Sequence, residues 1–212
     1  MLFHVLNRGV GRMQVFDRDQ DYAAFERVIH QTLRVAPIRI CAFCWMPNHW
    51  HFILWPERDG DLSGFMQRMT NMHTQRWQRA KGRVGYGHLY QGRFKSFPIE
   101  TDDHFYSVVR YVERNALRAG LVRRAEDWPW GSLHHRVRGQ HSSLMADWPL
   151  PEPRHWCDHV NQPMTEAELE AVRRCLRRGC PYGHAAWVEQ AAERLGLQST
   201  LRSRGRPAMS HA

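Results

Sequence analysis

Residues 44–55 read CWMPNHWHFILW, and this stretch decides the fold. Two β-favouring runs flank its Pro-Asn pair, so the pattern predicts a β-hairpin with a tight turn. Because strand side chains alternate between faces, His49 and His51 share one face while Trp50 points to the other, towards the core. Two imidazoles on one strand face can hold a divalent metal ion; a partly buried, hydrogen-bonded histidine pair is the alternative.

Outward from this hairpin, strand and helix patterns alternate along the chain. Residues 2–6 and 88–99 favour extended structure, while acidic or capping residues at 17–21, 61–63 and 101–103 begin three helices. The predicted order is β-α-β-β-α-β-α. It favours an α+β fold with a ferredoxin-like or RRM-like antiparallel sheet of four or five strands and helices packed on it.

The composition changes after the third helix, and we expect three segments. Residues 1–125 form the main domain, 126–163 an irregular connection rich in Trp, Pro and His, and 164–212 a small helical extension with a basic tail. Thr165 and Glu168 have the spacing of a capping box, which predicts a helix there. The extension is either an auxiliary DNA-binding module or a packing appendage.

The charge balance favours a polyanionic partner. Thirty Lys and Arg stand against 21 Asp and Glu, a net charge of +9, and nucleic acid is the commonest polyanion; a merely soluble basic surface is the alternative. No apolar run is long enough to span a membrane. The five cysteines, an odd number without repeating spacing, favour a reducing cytoplasm.

Cys41 and Cys44 form a C-x-x-C pair, which invites comparison with a structural zinc site. An offset of three residues on one strand would put the two sulfur atoms on opposite faces of the sheet. Two further ligands are also not evident. We therefore predict that both are core cysteines rather than zinc ligands.

A run of cations interleaved with aromatic residues lies between the histidine strand and the third helix. Such a pattern suits a groove for single-stranded nucleic acid, because phosphates attract charge and bases stack on rings; a solvated helix face with core aromatics is the alternative. The tail sequence Arg-Gly-Arg-Pro at 204–207 resembles the core of an AT-hook. The predicted DNA-binding residues are Arg68, Arg76, Arg79, Lys81, Arg83, Arg93, Lys95, Arg204 and Arg206, and the interleaved aromatics are Trp77, Tyr86, Tyr90 and Phe94.

The third helix carries Tyr111 and Asn115, which are four residues apart and so lie one turn from each other on one face. A tyrosine hydroxyl can act as a nucleophile, and an amide oxygen can be a third metal ligand. A buried aromatic residue on an amphipathic helix is the alternative for Tyr111.

Together these segments resemble the REP-associated tyrosine transposases, a single-tyrosine branch of the HUH endonuclease superfamily related to the smallest insertion-sequence transposases. The resemblance lies in FHVLNRG (3–9), MPNHWH (46–51), HLYQGRFK (88–95), RYVERNALRAGLV (110–122) and DWPWGS (127–132), in the order of the family. One departure is Ala116, where the family commonly has proline after the asparagine. That change affects the helix end but removes no catalytic group.

The resemblance implies a role for each site residue. Tyr111 would be the nucleophile, and His49, His51 and Asn115 would hold Mg²⁺ or Mn²⁺. The implied activity is that of a metal-dependent single-stranded DNA endonuclease and strand transferase. It would act on hairpin-forming, REP-like repeat DNA through a 5′-phosphotyrosine, in the cytoplasm with the nucleoid, as a monomer or homodimer. The rivals are a non-cleaving nucleic-acid-binding regulator of such repeats and a hydrolytic metallophosphoesterase.

Overall fold

The structure, a computed structural model, describes residues 1–139 and 143–202. Its first part follows the predicted order of strands and helices. The strands are β1 (Leu2–Arg8), β2 (Arg39–Met46), β3 (His49–Trp55) and β4 (Lys95–Ile99), and the helices are α1 (Asp19–Leu33), α2 (Asp61–Ala80), α3 (Asp103–Glu113) and α4 (Asn115–Arg118). Asp102 caps α3 by accepting a hydrogen bond from the His104 N–H at 2.8 Å, as its sequence pattern predicts.

The four strands form one antiparallel sheet in the order β2-β3-β1-β4, which is the ferredoxin-like arrangement and confirms the predicted α+β fold. The β2–β3 hairpin turns at Pro47-Asn48. In the register of the sheet, His51 lies between Leu6 of β1 and Cys44 of β2. The histidine strand is therefore an inner strand of the sheet, held on both sides by backbone hydrogen bonds.

The two faces of the sheet carry separate hydrophobic clusters. On one face, α1 and α2 cover fully buried aromatic side chains of β2 and β3, including Phe43, Trp50 and Phe52. On the other face, α3 packs with Val108 and Val112 against Ile53 and Phe97 of the sheet and against apolar residues of the C-terminal helices. Helices on both faces leave each inner strand buried from both sides.

The C-terminal part packs closely on the α3 face. Its helices are α5 (Ser132–Val137), α6 (Trp156–Asn161), α7 (Glu166–Arg178), α8 (Ala185–Arg194) and α9 (Gln198–Leu201). The Thr165–Glu168 capping box at the start of α7 is present, as predicted. Residues 126–163, expected to be irregular, contain α5 and α6, because buried Leu133, Trp156 and Val160 give these short helices an apolar face to bury. The boundaries at 125 and 163 stay a prediction.

Both outer strands of the sheet are covered. Trp128 donates from its indole N–H to the Trp45 carbonyl at 3.0 Å, and the Trp45 N–H donates to the Trp130 carbonyl at 2.9 Å, so the Trp-Pro-Trp segment lies along β2. On the opposite edge, Tyr182 exchanges backbone hydrogen bonds with β4. This covering removes the free strand edges that promote association between sheets. Among the described residues, none of the helices combines the length and apolar character of a membrane span.

Candidate active site

His49 and His51 project from β3 onto the face of the sheet that α3 covers. Their ring centroids are 5.0 Å apart, and the His51 ring is 5.9 Å from that of Tyr111. Trp50 points to the opposite face, where it is fully buried and donates from its indole N–H to the Tyr90 hydroxyl at 2.9 Å. The predicted alternation of side chains between the two faces is therefore present. Trp50, between the two histidines, anchors the strand to the core on the opposite face.

Hydrogen bonds orient both imidazoles. Nδ1 of His51 lies 2.8 Å from Nε2 of His4, a buried residue of β1, and Nδ1 of His49 lies 2.6 Å from the Asn48 side-chain oxygen. Each contact uses Nδ1 and leaves Nε2 as the nitrogen available to a metal ion. Such a second contact fixes the ring orientation of a ligating histidine. His4 is a positioning residue for His51 that the sequence pattern alone did not single out.

Burial keeps all three imidazoles neutral. It lowers the pKa of His4 and of His49 to about 3, with nearby Arg8 and Arg118 adding to the effect on His49. The pKa of His51 lies well below its ordinary value, again chiefly through burial. The neutral imidazole is the form that binds metal ions, so this environment suits ligation.

Tyr111 and Asn115 are both nearly buried, at 5% and 2% exposure. Arg114 separates α3 from α4 but keeps near-helical angles (φ −79°, ψ −3°), so Asn115 still follows Tyr111 by one turn. Arg118 links the two residues: its Nη2 donates to Asn115 Oδ1 at 3.0 Å and lies 3.4 Å from the Tyr111 hydroxyl. The spacing 111, 115 and 118 marks one helical face, a signal that could have identified Arg118 from the sequence.

The donor set fits a divalent ion. Two neutral imidazoles and one amide oxygen are available, and an amide oxygen has two lone pairs, so Asn115 Oδ1 can ligate while accepting from Arg118. Within the described part of the chain, the buried Asn115 Nδ2 has no hydrogen-bond partner. A buried polar atom left unpaired is uncommon in proteins and is typical of functional sites.

A basic cleft of about 410 Å³ opens beside the ends of β1 and β4. Arg93 and Lys95, both predicted to bind DNA, lie in its wall. The wall also contains Arg8 of β1 and two arginines of α7, Arg173 and Arg177, which the sequence analysis did not select. The C-terminal extension thus supplies part of the same cationic surface as the main domain.

The cleft continues into a larger groove of about 890 Å³ along α2. The helix lines this groove with uncharged polar residues, namely Ser63, Gln67, Thr70, Asn71 and Thr74. The predicted DNA-binding residues Arg68, Arg76 and Arg79 are exposed on another face of α2, and Arg76 donates to Gln31 at 2.6 Å. Arg83 borders a separate small pocket beside Tyr86. The structure does not bring these four cations into the cleft.

Lys81, also predicted to bind DNA, is held at the start of α1. Its Nζ pairs with Asp17 at 2.9 Å and with Asp21 at 3.0 Å, and the hydrogen bond that Nζ donates to Asp17 is the main cause that raises the Lys81 pKa. Two of the interleaved aromatics, Trp77 and Tyr90, are core residues at 8% and 7% exposure. They cannot stack on bases, whereas Tyr86 is exposed and Phe94 partly buried. Arg204 and Arg206 lie outside the described residues.

Cys41 and Cys44 are core cysteines, as predicted, but the reason given from the sequence is wrong. A register shift between Ile40 and Ala42 interrupts the alternation of β2, so both cysteines pack in the cluster on the α3 face. Both are fully buried, and burial raises the pKa of each thiol to about 12. Thiols in this environment stay protonated and inert.

A second group of metal-binding side chains lies elsewhere, where β4 ends. Glu100, Asp102, His104 and His184 each offer a ligand atom, and all four atoms lie within 4.8 Å of one another. No local spacing in the sequence indicates this group, because His184 lies about 80 residues from its neighbours. This group does not include the paired histidines on β3.

Comparisons with known proteins identify the relatives of this chain. The family described as "Transposase IS200 like" matches residues 1–115. The REP-associated tyrosine transposase of Escherichia coli is 28% identical over 122 residues, which cover 55% of this chain and 67% of that protein. A Haemophilus influenzae protein, provisionally described as a REP-associated tyrosine transposase, is 25% identical over 137 residues. That match covers 58% of this chain and 78% of the Haemophilus influenzae protein.

Among solved structures, a REP-associated tyrosine transposase bound to a REP hairpin superposes with a TM-score of 0.54 at 22% identity. The superposition covers 78% of this chain and 92% of the other. At this identity the comparison shows a shared fold.

Proposed function

The chain belongs to the IS200-like transposase family, and we propose that it cuts and rejoins single-stranded DNA at hairpin-forming repeats. The observation that carries the proposal is the position of the His51 ring, 5.0 Å from the ring of His49 and 5.9 Å from that of Tyr111. Arg118 in turn joins Tyr111 to Asn115 through contacts of 3.4 and 3.0 Å. Hairpin repeats are proposed as the substrate because relatives of this chain are described as REP-associated, and one was solved with a REP hairpin.

In this proposal His49, His51 and Asn115 would hold Mg²⁺ or Mn²⁺. The ion, when bound, would polarise the scissile phosphate and offset the charge that builds up during attack. His4 keeps the His51 ring in its ligating orientation through the 2.8 Å contact at Nδ1, and the Asn48 side chain does the same for His49.

The covalent step uses Tyr111. Its phenolic oxygen would attack the phosphorus, the bond from phosphorus to the 3′ oxygen would break, and a 5′-phosphotyrosine would form. The tyrosine proton leaves to solvent, and the departing oxygen takes up a proton as a 3′-hydroxyl. Attack by a 3′-hydroxyl on the phosphotyrosine reverses both bond changes, so strands are joined without ATP. Arg118, 3.4 Å from the Tyr111 hydroxyl, would stabilise negative charge on that oxygen.

The basic cleft gives the DNA strand a path to this centre. Arg8 is directly opposite His49 in the β1–β3 register, and it lies in the cleft wall with Arg93 and Lys95. These cations would contact phosphates near the scissile bond. The polar groove along α2 extends from the same wall and offers amide and hydroxyl groups to the sugar and bases.

The test is covalent trapping on a hairpin oligonucleotide labelled at its 3′ end, incubated with the full-length protein and Mn²⁺. We expect a labelled protein that survives denaturation, lost in Tyr111→Phe and kept in Tyr86→Phe, which alters an exposed tyrosine as control. Hairpin affinity should stay nearly unchanged in both.

The other outcomes separate the rivals. An adduct that persists in Tyr111→Phe would refute the nucleophile assignment. Hairpin binding with no adduct and no cleavage would identify a non-cleaving regulator of the repeats. Cleavage without any covalent protein would identify hydrolysis by a metallophosphoesterase.

A further inference from the structure

The four side chains at the end of β4 come from two distant parts of the chain. Glu100 and Asp102 follow β4, His104 is in the first turn of α3, and His184 immediately precedes α8 in the C-terminal extension. Backbone pairing brings them together: the Glu100 N–H donates to the Tyr182 carbonyl, and the Tyr182 N–H to the Pro98 carbonyl, both at 2.9 Å. The extension is therefore in direct contact with the main domain at this cluster.

The spacing of the ligand atoms matches a single small cation. His184 Nδ1 lies 2.9 Å from an Asp102 oxygen and 3.2 Å from Glu100 Oε2. His104 Nδ1 lies 2.9 Å from the other Asp102 oxygen and 4.0 Å from Glu100 Oε2. Ligand atoms in a zinc tetrahedron are separated by about 3.3 Å. One ligand atom from each of the four side chains lies within 4.8 Å of the other three.

The charge and type of the donors point to the same ion. Two carboxylates balance a divalent charge, and two imidazoles complete four ligands, a donor set that zinc takes readily. Both carboxylates also accept backbone N–H groups, Asp102 from His104 at 2.8 Å and Glu100 from His184 at 2.6 Å, which would fix them as ligands.

The backbone at Gly183 passes directly against the cluster. A Cβ on Gly183 would lie 2.5 Å from Glu100 Oε2 and 2.6 Å from the Trp187 ring, so only glycine fits at this position. His104 packs edge-on against both Tyr182 and His184, with ring centroids 5.0 Å and 4.7 Å apart. These contacts hold both imidazoles beside the two carboxylates.

We propose that Glu100, Asp102, His104 and His184 form a structural site for a zinc-like divalent cation, which fastens the C-terminal helices to the main domain. This site is separate from the paired histidines of β3. Ile99 is paired with Leu2, and His51 with Leu6, four residues further along β1; at about 3.3 Å per residue this separation is about 13 Å along the strand. The proposal does not depend on the DNA chemistry proposed above.

Zinc binding to the full-length protein, without DNA, tests this site. The protein is stripped with a chelator and titrated with Zn²⁺, and bound metal is counted by mass spectrometry. We expect wild type to bind one Zn²⁺ per chain more than His184→Asn does, because the paired histidines of β3 can hold an ion in both proteins. The affinity of this additional site should fall at least about 100-fold in His184→Asn, since even loss of an outer contact costs 10–100-fold. His184 is largely exposed, so its replacement should not unfold the chain.

His155→Asn is the matched control, because His155 is a second exposed histidine, outside the cluster. It should bind zinc as wild type does. Added Zn²⁺ should raise the melting temperature of wild type and of His155→Asn more than that of His184→Asn. It should protect α8 from proteolysis in wild type and His155→Asn but not in His184→Asn. Equal zinc affinity in His184→Asn and His155→Asn would overturn the site. If zinc binds to the cluster but neither raises the melting temperature nor protects α8 from proteolysis, the ion does not hold the C-terminal helices to the main domain.

Discussion

Replacing Arg118 with glutamine should slow formation of the covalent protein–DNA adduct about tenfold. In the structure the guanidinium is 3.4 Å from the Tyr111 hydroxyl and 4.7 Å from the centre of its ring. At 3.4 Å, Coulomb attraction to a phenolate amounts to about 1 kcal/mol at the dielectric constant of water and about 5 kcal/mol at an effective value of 20. Because Arg118 is exposed, solvent screens this attraction. We therefore take about 1.5 kcal/mol for the interaction, the lower end for hydrogen bonds to charged groups.

The assay is single-turnover adduct formation on a labelled hairpin with Mn²⁺, at saturating DNA so that weaker binding does not lower the rate. Arg123→Gln removes an equally exposed cation just beyond the same helix and serves as control. Arg118→Lys should recover part of the rate, since it keeps the charge without the planar guanidinium. If Arg118→Gln forms the adduct as fast as Arg123→Gln, the stabilising role of Arg118 is refuted.

Three further predictions concern stability and binding. Glu113→Ala should lower the free energy of unfolding by roughly 3–5 kcal/mol in urea titrations, because this fully buried carboxylate accepts hydrogen bonds from three side chains; a loss below about 1 kcal/mol would contradict that. Burial lowers the pKa of His73 from 6.5 to about 3, so the stability it contributes is present above pH 6.5 and lost as the pH falls towards 3. When the pH is lowered from 7.5 to 5.5, the free energy of unfolding of wild type should therefore fall by about 1.4 kcal/mol more than that of His73→Phe. Equal falls in the two proteins would contradict this role of His73. Replacing Arg173 and Arg177 together with Gln should reduce the slope of log affinity against log salt for single-stranded DNA by about 0.7 for each lost phosphate contact, and an unchanged slope would mean that neither contacts DNA.

The hairpin and its histidine face could be predicted from the sequence because they depend on local rules. A Pro-Asn turn between two β-favouring runs sets the hairpin, and the period of two sets which side chains share a face. The same rule assigns Cys41, four residues before Trp45, to the wrong face of the sheet. A bulge adds one residue to the strand there, so the side chains before it point to the face opposite the expected one. A bulge depends on pairing with a neighbouring strand, which no local pattern encodes.

The cationic surface was harder to predict, because it depends on which faces the helices turn towards each other. Trp77 donates its indole N–H to the Val15 carbonyl, and Tyr90 meets both Trp50 and His73, so two rings that suggested base stacking are parts of the core. Arg173, far from the other cations in sequence, reaches the cleft only because α7 packs against β4. Non-local packing of this kind has no signature in the spacing of residues.

The helix that carries Tyr111 is held in part by residues outside the family match, which ends at residue 115. Glu113 binds Ser132 of α5 at 2.6 Å and Trp156 of α6 at 2.7 Å. One turn earlier, Arg110 donates to the carbonyls of Gln162 and Pro163 at 3.0 and 3.1 Å. These contacts hold α3 from its outer side while His51 contacts it from the sheet. Because catalytic rates depend steeply on the placement of the nucleophile, the C-terminal segment would support the proposed reaction even where it does not contact DNA.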